Sequence, residues 1–149
     1  MSVGLLDVNM LVAIGWSSHA HHKHALKWFA ENRESGWATC PITQCGFVRL
    51  SCNSAFTPDA VTPVEAVRLL RKLAASGGHT FWPDELNMAS DLMPADLVTG
   101  HRQVTDAYLL GLAMHHGGRL VTLDQKLASL VPPDSKVPKY LEMVPVEVD

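Results

Sequence analysis

Two short apolar runs, each closed by an aspartate, stand near opposite ends of the chain: Val3-Gly4-Leu5-Leu6 before Asp7, and Leu120-Val121-Thr122-Leu123 before Asp124. Unbroken apolar residues over so short a span predict strands buried on both faces, as in a parallel sheet. Between them the pattern is mostly helical. Asn9 to Ile14 predicts a short apolar helix. His19 to Asn32 predicts a longer one, with Ala25, Trp28 and Phe29 sharing a face. Trp37 to Cys40 reads as a strand stopped by Pro41, and Thr43 to Leu50 as a helix. Thr62-Pro63-Val64-Glu65 places threonine at the N-cap, proline at the first helical position and glutamate at N3, the pattern of a capping box. The helix behind it, Val64 to Ser76, is predicted to stop at Gly77-Gly78, where the backbone can turn left-handed. His79 to Trp82 predicts a strand. Thr105 to His116 predicts a nearly all-apolar helix, buried on several sides and closed by Gly117-Gly118. Tyr140 to Val146 adds a last strand, which Pro145 confines to an edge. Strands alternating with helices predict an α/β fold with a central, mostly parallel sheet flanked by helices. Asn53 to Pro58 and Asp91 to Gly100 are the predicted long loops.

Composition narrows the class. At 149 residues the chain suits one domain, residues 1–149, with one continuous core. Apolar residues make up 47% and charged residues 18%, which argues against disorder. A net charge of −3 does not advertise nucleic-acid binding, so attraction for a polyanion must come from a local patch or a bound cation. No apolar run approaches the roughly 18–20 residues that span a bilayer, so no membrane association is expected. The N-terminus has no basic region, and Asp7 interrupts its apolar stretch, unlike a signal peptide. Three cysteines, Cys40, Cys45 and Cys52, suggest reduced thiols and a cytoplasmic setting.

The chemistry lies in the carboxylates. Ligands of an open parallel sheet bind beyond the carboxyl ends of its strands, where Asp7 and Asp124 are predicted to stand. Thr105-Asp106 opens the buried helix that leads into the second of these strands, and the dipole favours a carboxylate in a first helical turn. If that turn lies at the same edge, three negative charges converge, and a cation resolves their repulsion. Mg²⁺, with Mn²⁺ as the alternative, suits oxygen ligands. The competing reading makes each aspartate an ordinary helix cap or turn residue.

Four segments in order carry a family resemblance: Leu5-Leu6-Asp7-Val8-Asn9, Thr43-Gln44-Cys45-Gly46-Phe47-Val48-Arg49, Gly100-His101-Arg102-Gln103-Val104-Thr105-Asp106-Ala107-Tyr108-Leu109, and Gly117-Gly118-Arg119-Leu120-Val121-Thr122-Leu123-Asp124. The chain resembles the PIN-domain ribonucleases, and among them the VapC toxins of type II toxin–antitoxin pairs. The resemblance implies a single PIN domain that cuts RNA with Mg²⁺ or Mn²⁺, a VapB-like antitoxin that inhibits it, and a homodimer. It also implies that Asp7, Asp106 and Asp124 form the acidic metal site. The family carries an acid, often glutamate, after the threonine matching Thr43; here that residue is Gln44. An amide ligates or orients water but brings no charge and is a poor base. Gln44 therefore leaves three readings open: a native variant working with three acids, a weakened PIN-fold module that binds RNA or protein, or an engineered substitution.

Further residues have double readings. Asn9, Thr105 and Thr122 either orient the carboxylates or cap local structure, and Thr43 joins them as a neighbour of Gln44. Arg102 precedes Asp106 and could grip phosphate; for Arg49 and Arg119 a surface charge is the expectation. His101 serves either proton transfer or loop packing. Asp91 and Asp96 have no pattern that places them. His19, His21, His22 and His24 are expected at an exposed or partly packed helix start, without a zinc set. The cysteines are expected to be small buried side chains. Trp28, Trp37 and Trp82 are expected in the core rather than stacked on bases. The apolar faces of Val8 to Val12 and Val64 to Ala75 suit a dimer seam, an antitoxin groove or the core.

Overall fold

The computed structural model describes residues 2–91, 93–131 and 136–146; Leu92, inside the predicted 91–100 loop, lies outside them. Among the described residues five strands form one sheet: β1 (Gly4–Leu6), β2 (Trp37–Thr39), β3 (His79–Phe81), β4 (Arg119–Thr122) and β5 (Leu141–Met143), in the order β3-β2-β1-β4-β5. Every pairing is parallel. The sequence-based expectation of a mostly parallel sheet thus becomes an entirely parallel one. The chain's first strand lies at its centre, with Leu5 paired to Ala38 on one side and Leu120 on the other.

Among the described residues five α-helices lie between β1 and β4: α1 (Val8–Gly15), α2 (His22–Asn32), α3 (Pro41–Ser51), α4 (Pro63–Ala74) and α5 (Val104–His115). Side chains alternate across a strand, and the two cores follow that alternation. Leu6, Val121 and Trp37 face a cluster containing Met10, Leu11, Trp28, Phe29 and Phe47, with Leu69, Leu70 and Leu73 of α4 against it. Leu5, Ala38 and Leu120 face the opposite cluster, built on α5 with Trp82, Leu86 and Met93. The segment after β3 covers the outer side of α5, as Gly111 shows. A Cβ there would stand 2.8 Å from Leu86 and 3.1 Å from Pro94. This cover accounts for the all-round apolar character of α5.

Several boundaries differ from the sequence reading, each for a local reason. Helix α3 begins at Pro41, not Thr43: proline at N1 has no N–H to satisfy, so it opens the helix instead of merely ending β2. The capping box forms here, with the Thr43 hydroxyl accepting from Cys40 N–H at 3.0 Å. At α4 one half of the expected box is present, Glu65 N–H donating to Thr62 Oγ1 at 3.3 Å. Helix α2 starts at His22 because residues 17–21 are spent in turns. Helix α5 is capped by Gln103 after a 3₁₀ turn, so Thr105 sits inside the first turn and is not the cap. Its other end closes as expected. Gly117 takes φ +65°, and the N–H groups of Gly118 and Gly117 reach back to Ala113 (2.9 Å) and Met114 (3.1 Å). This is the Schellman pattern.

Candidate metal centre

The parallel sheet places the carboxyl ends of β1 and β4 side by side, and Asp7 and Asp124 emerge there. Asp7 is the N-cap of α1: Met10 N–H donates to its Oδ1 at 2.8 Å. The Thr122 hydroxyl donates to its Oδ2. The same hydroxyl accepts from Asp124 N–H at 3.0 Å, so Thr122 ties the two aspartates into one network. Asp124 caps the 3₁₀ turn that follows it, accepting from Lys126 N–H at 2.9 Å. Capping and clustering therefore coexist.

Asp7 is only 4% exposed. Burial pushes its carboxyl up to about 6, and the charges of Asp106 and Asp124 push the same way; the bonds from Thr122 and Met10 oppose them. Asp106, half-buried in the first turn of α5, is also raised, by burial first and by Asp124 second. Each aspartate thus feels the field of another. The strand ends and the α5 turn bring all three to one edge.

The donor set fits a hard divalent cation. All donors are carboxylate oxygens, and each Asp7 oxygen, having accepted one hydrogen bond, retains a lone pair. The arrangement is open: among the described residues, three ligating atoms all within 4.8 Å of one another occur at a different cluster, not at these aspartates. An open carboxylate set suits Mg²⁺, which keeps several waters and takes only one or two protein carboxylates.

The remaining predicted residues separate. Gln44 lies half-buried in the first turn of α3 and donates from Nε2 to Thr39 Oγ1 at 3.0 Å. Thr39 Oγ1 is in turn 2.7 Å from His79 Nε2. Thr39 Oγ1 thus joins the Gln44 amide to the His79 ring, accepting from the first and either donating to or accepting from the second. Burial lowers the His79 pKa, in keeping with a neutral ring. Nothing in the sequence spacing connects these three residues. Thr43 spends its hydroxyl on Cys40, accepting from its N–H and donating to its carbonyl at 3.1 Å. Thr105 is exposed and lines a groove of about 410 Å³ with Val8, Ile42, Cys45 and Arg49. Arg102 and His101 are exposed in the 3₁₀ turn before α5, and Asp91 and Asp96 are exposed in the preceding loop.

Other expectations are corrected. Arg119 is buried at the start of β4, where its Nε pairs with Glu142 Oε1 at 2.6 Å, so it braces β5 and is neither a surface charge nor a phosphate contact. Cys45 is exposed and Cys52 half-buried; only Cys40 is the small core residue expected of all three. All three are free thiols. Trp28, Trp37 and Trp82 are buried, as packing predicts. His19 and His21 were missed: they line a depression of about 390 Å³ with Asn9, Ala20, Leu123 and Asp124. The 17–21 turns fold them back toward the aspartates, and helical spacing could not reveal that.

A family model described as "PIN domain" matches residues 4–131. The chain belongs to the PIN-domain family. Its similarity is to VapC proteins of Mycobacterium tuberculosis. "Ribonuclease VapC38" (strain ATCC 25618 / H37Rv) is 47% identical over 139 residues, covering 93% of this chain and 97% of that protein. "Ribonuclease VapC39" (strain CDC 1551 / Oshkosh) is 46% identical over 125 residues, covering 83% and 90%. "Ribonuclease VapC29" (strain CDC 1551 / Oshkosh) is 41% identical over 126 residues, covering 85% and 89%.

Proposed function

We propose that this protein is the toxin of a type II toxin–antitoxin pair, a Mg²⁺- or Mn²⁺-dependent endoribonuclease inhibited by a VapB-like antitoxin. The observation that carries the reading is the meeting of Asp7 and Asp124 at the adjacent carboxyl ends of β1 and β4, tied through the Thr122 hydroxyl, with Asp106 close enough to act on Asp7. Similarity to relatives named ribonucleases supports RNA as the substrate. Among the described residues no helix is long and apolar enough to cross a membrane. In this reading the chain acts as a homodimer.

Asp7, Asp106 and Asp124 hold the cation at the sheet edge. When bound, it supplies Lewis acidity toward a phosphoryl oxygen and acidifies a water. Thr122 fixes the Asp7 carboxylate and orients Asp124 through its backbone N–H. Asn9, His19 and His21 form the wall beside Asp124, while Thr105, Cys45 and Arg49 form a second groove. Arg102 and Arg49 are the cations available to phosphates flanking the scissile bond.

Cleavage of RNA by the metal-loaded protein, with mapping of the new ends, tests the proposal. Attack by water leaves a 5′-phosphate. A 2′,3′-cyclic phosphate would overturn the mechanism, and an inert wild-type protein would leave a binding module. Thr122→Val removes the hydroxyl shared by Asp7 and Asp124; activity should fall about 10–100-fold, the range for outer-shell partners of metal ligands, with Thr122→Ser restoring most of it.

Gln44 separates the enzyme from the weakened module. Gln44→Glu adds a charge but loses the donor to Thr39, so the Thr39 hydroxyl turns its proton to the new carboxylate and meets His79 as an acceptor. We expect an active wild-type protein and less than about a tenfold rate change in Gln44→Glu, below the usual outer-shell range. Activity confined to the glutamate form would favour the binding-module reading.

A further inference from the structure

Among the described residues the tightest ligand cluster lies at the other end of α5. Asp106 is in its first turn and His115 in its last, so nine residues separate them, about 14 Å along the axis. There Glu85, His115 and His116 bring one ligand atom each to within 4.8 Å of one another. His116 Nε2 is 2.8 Å and His115 Nε2 3.8 Å from Glu85 Oε1. Ligands about 2.0–2.1 Å from a tetrahedral Zn²⁺ lie about 3.3–3.4 Å apart, so each imidazole–carboxylate distance is within roughly half an ångström of that spacing.

We propose that Glu85, His115 and His116 form a second metal site, selective for Zn²⁺-class transition ions and separate from the aspartate centre. His116 Nε2 is shielded from solvent and has no hydrogen-bond partner; the Glu85 oxygen is close but not aligned as an acceptor. Its ring is held by stacking on Trp82, with centroids 4.2 Å apart and planes 12° from parallel. The His115 ring stands edge-on to it at 5.1 Å, so the two imidazoles present different directions. The Schellman turn at Gly117-Gly118 fixes the backbone that carries both. The negative end of the α5 dipole favours a cation there. Two imidazoles and one carboxylate select zinc, copper or nickel over magnesium, whereas the three aspartates select the reverse. Glu85 and His115 side chains are 42% and 37% exposed, so an ion can enter and a fourth position is open to water. Glu85 belongs to the segment that covers α5; a bound ion clamps that segment to the helix end.

Titration calorimetry with Zn²⁺, in excess Mg²⁺ to occupy the aspartates, tests the site. One Zn²⁺ per chain is expected. Glu85→Gln and His115→Ala should each weaken binding at least tenfold while leaving Mg²⁺-dependent RNA cleavage unchanged. Asp106→Asn and the double variant His21→Ala/His24→Ala should bind Zn²⁺ as the wild type does. Zn²⁺ should also protect residues 82–91 from proteolysis, and Co²⁺ or Cu²⁺ should quench Trp82 fluorescence. Absence of Zn²⁺ binding, undiminished binding in Glu85→Gln and His115→Ala, or loss in either control would overturn the proposal.

Discussion

If the proposed metal site is right, Asp7→Asn should lower RNA cleavage by on the order of 10³-fold, the scale of removing one fully engaged transition-state electrostatic group, while stabilising the metal-free protein above pH 6. Asparagine caps a helix as well as aspartate does, so the Met10 bond survives, and an amide can still pair with the Thr122 hydroxyl. What disappears is a buried charge facing two others. The wild-type carboxyl titrates near 6 when folded, against an ordinary value of 3.8. The folded state therefore holds the Asp7 proton more tightly. Stability from this group is full below about pH 4, declines as pH rises through 6, and levels off above it. The decline is on the order of 3 kcal/mol. Thermal or urea unfolding of both forms from pH 4 to 8 isolates the difference. Saturating Mg²⁺ should raise the wild-type Tm at pH 8 and leave the Asn variant nearly unmoved.

Gly78→Ala should destabilise the fold by about 3 kcal/mol or more, through steric overlap at a left-handed residue. Gly78 has φ +77°, and a Cβ there would sit 1.9 Å from the Arg33 carbonyl oxygen. That oxygen is backbone and cannot swing aside. The Gly78 carbonyl accepts from Trp37 N–H at 2.9 Å, so any shift reaches the start of β2. Gly77→Ala is the comparison. Its φ is +107°, but its Cβ would meet nothing nearer than Arg33 Nη2 at 3.5 Å, the flexible end of a side chain. A cost of about 1–2 kcal/mol is expected there, from backbone conformation alone. Equal losses at the two glycines, measured by denaturant unfolding, would refute the steric account.

Much of this was legible from local pattern. The Leu-Leu-Asp and Leu-Val-Thr-Leu-Asp endings marked two buried strands, and Gly117-Gly118 marked the end of α5, because these signals act over a few residues. The convergence of Asp7, Asp106 and Asp124 at one edge followed once the sheet was parallel. What sequence could not supply is contact between segments without a spacing rule. Gln44, Thr39 and His79 are joined by strand neighbours, and Glu85 meets His115 and His116 because the segment after β3 folds back over α5. Arg119 read as a surface charge because its partner, Glu142, lies on a strand 23 positions away. Cys45 read as buried because free cysteine is among the most buried residue types, yet it stands exposed on α3.

The central position of β1 has a consequence for when the acidic edge can assemble. Asp7 is synthesised well before its Thr122 partner, which lies 115 positions downstream. The α5 turn bearing Asp106 follows Asp7 late, and the strand leading to Asp124 later still. Pairings of such separation are slow to form, because loop closure precedes any gain from contact. A nascent chain therefore carries Asp7 without its Thr122 partner until 115 further positions have been made. Through that interval the Asp7 carboxyl stays solvated, and its burial among like charges is deferred to the last steps of folding.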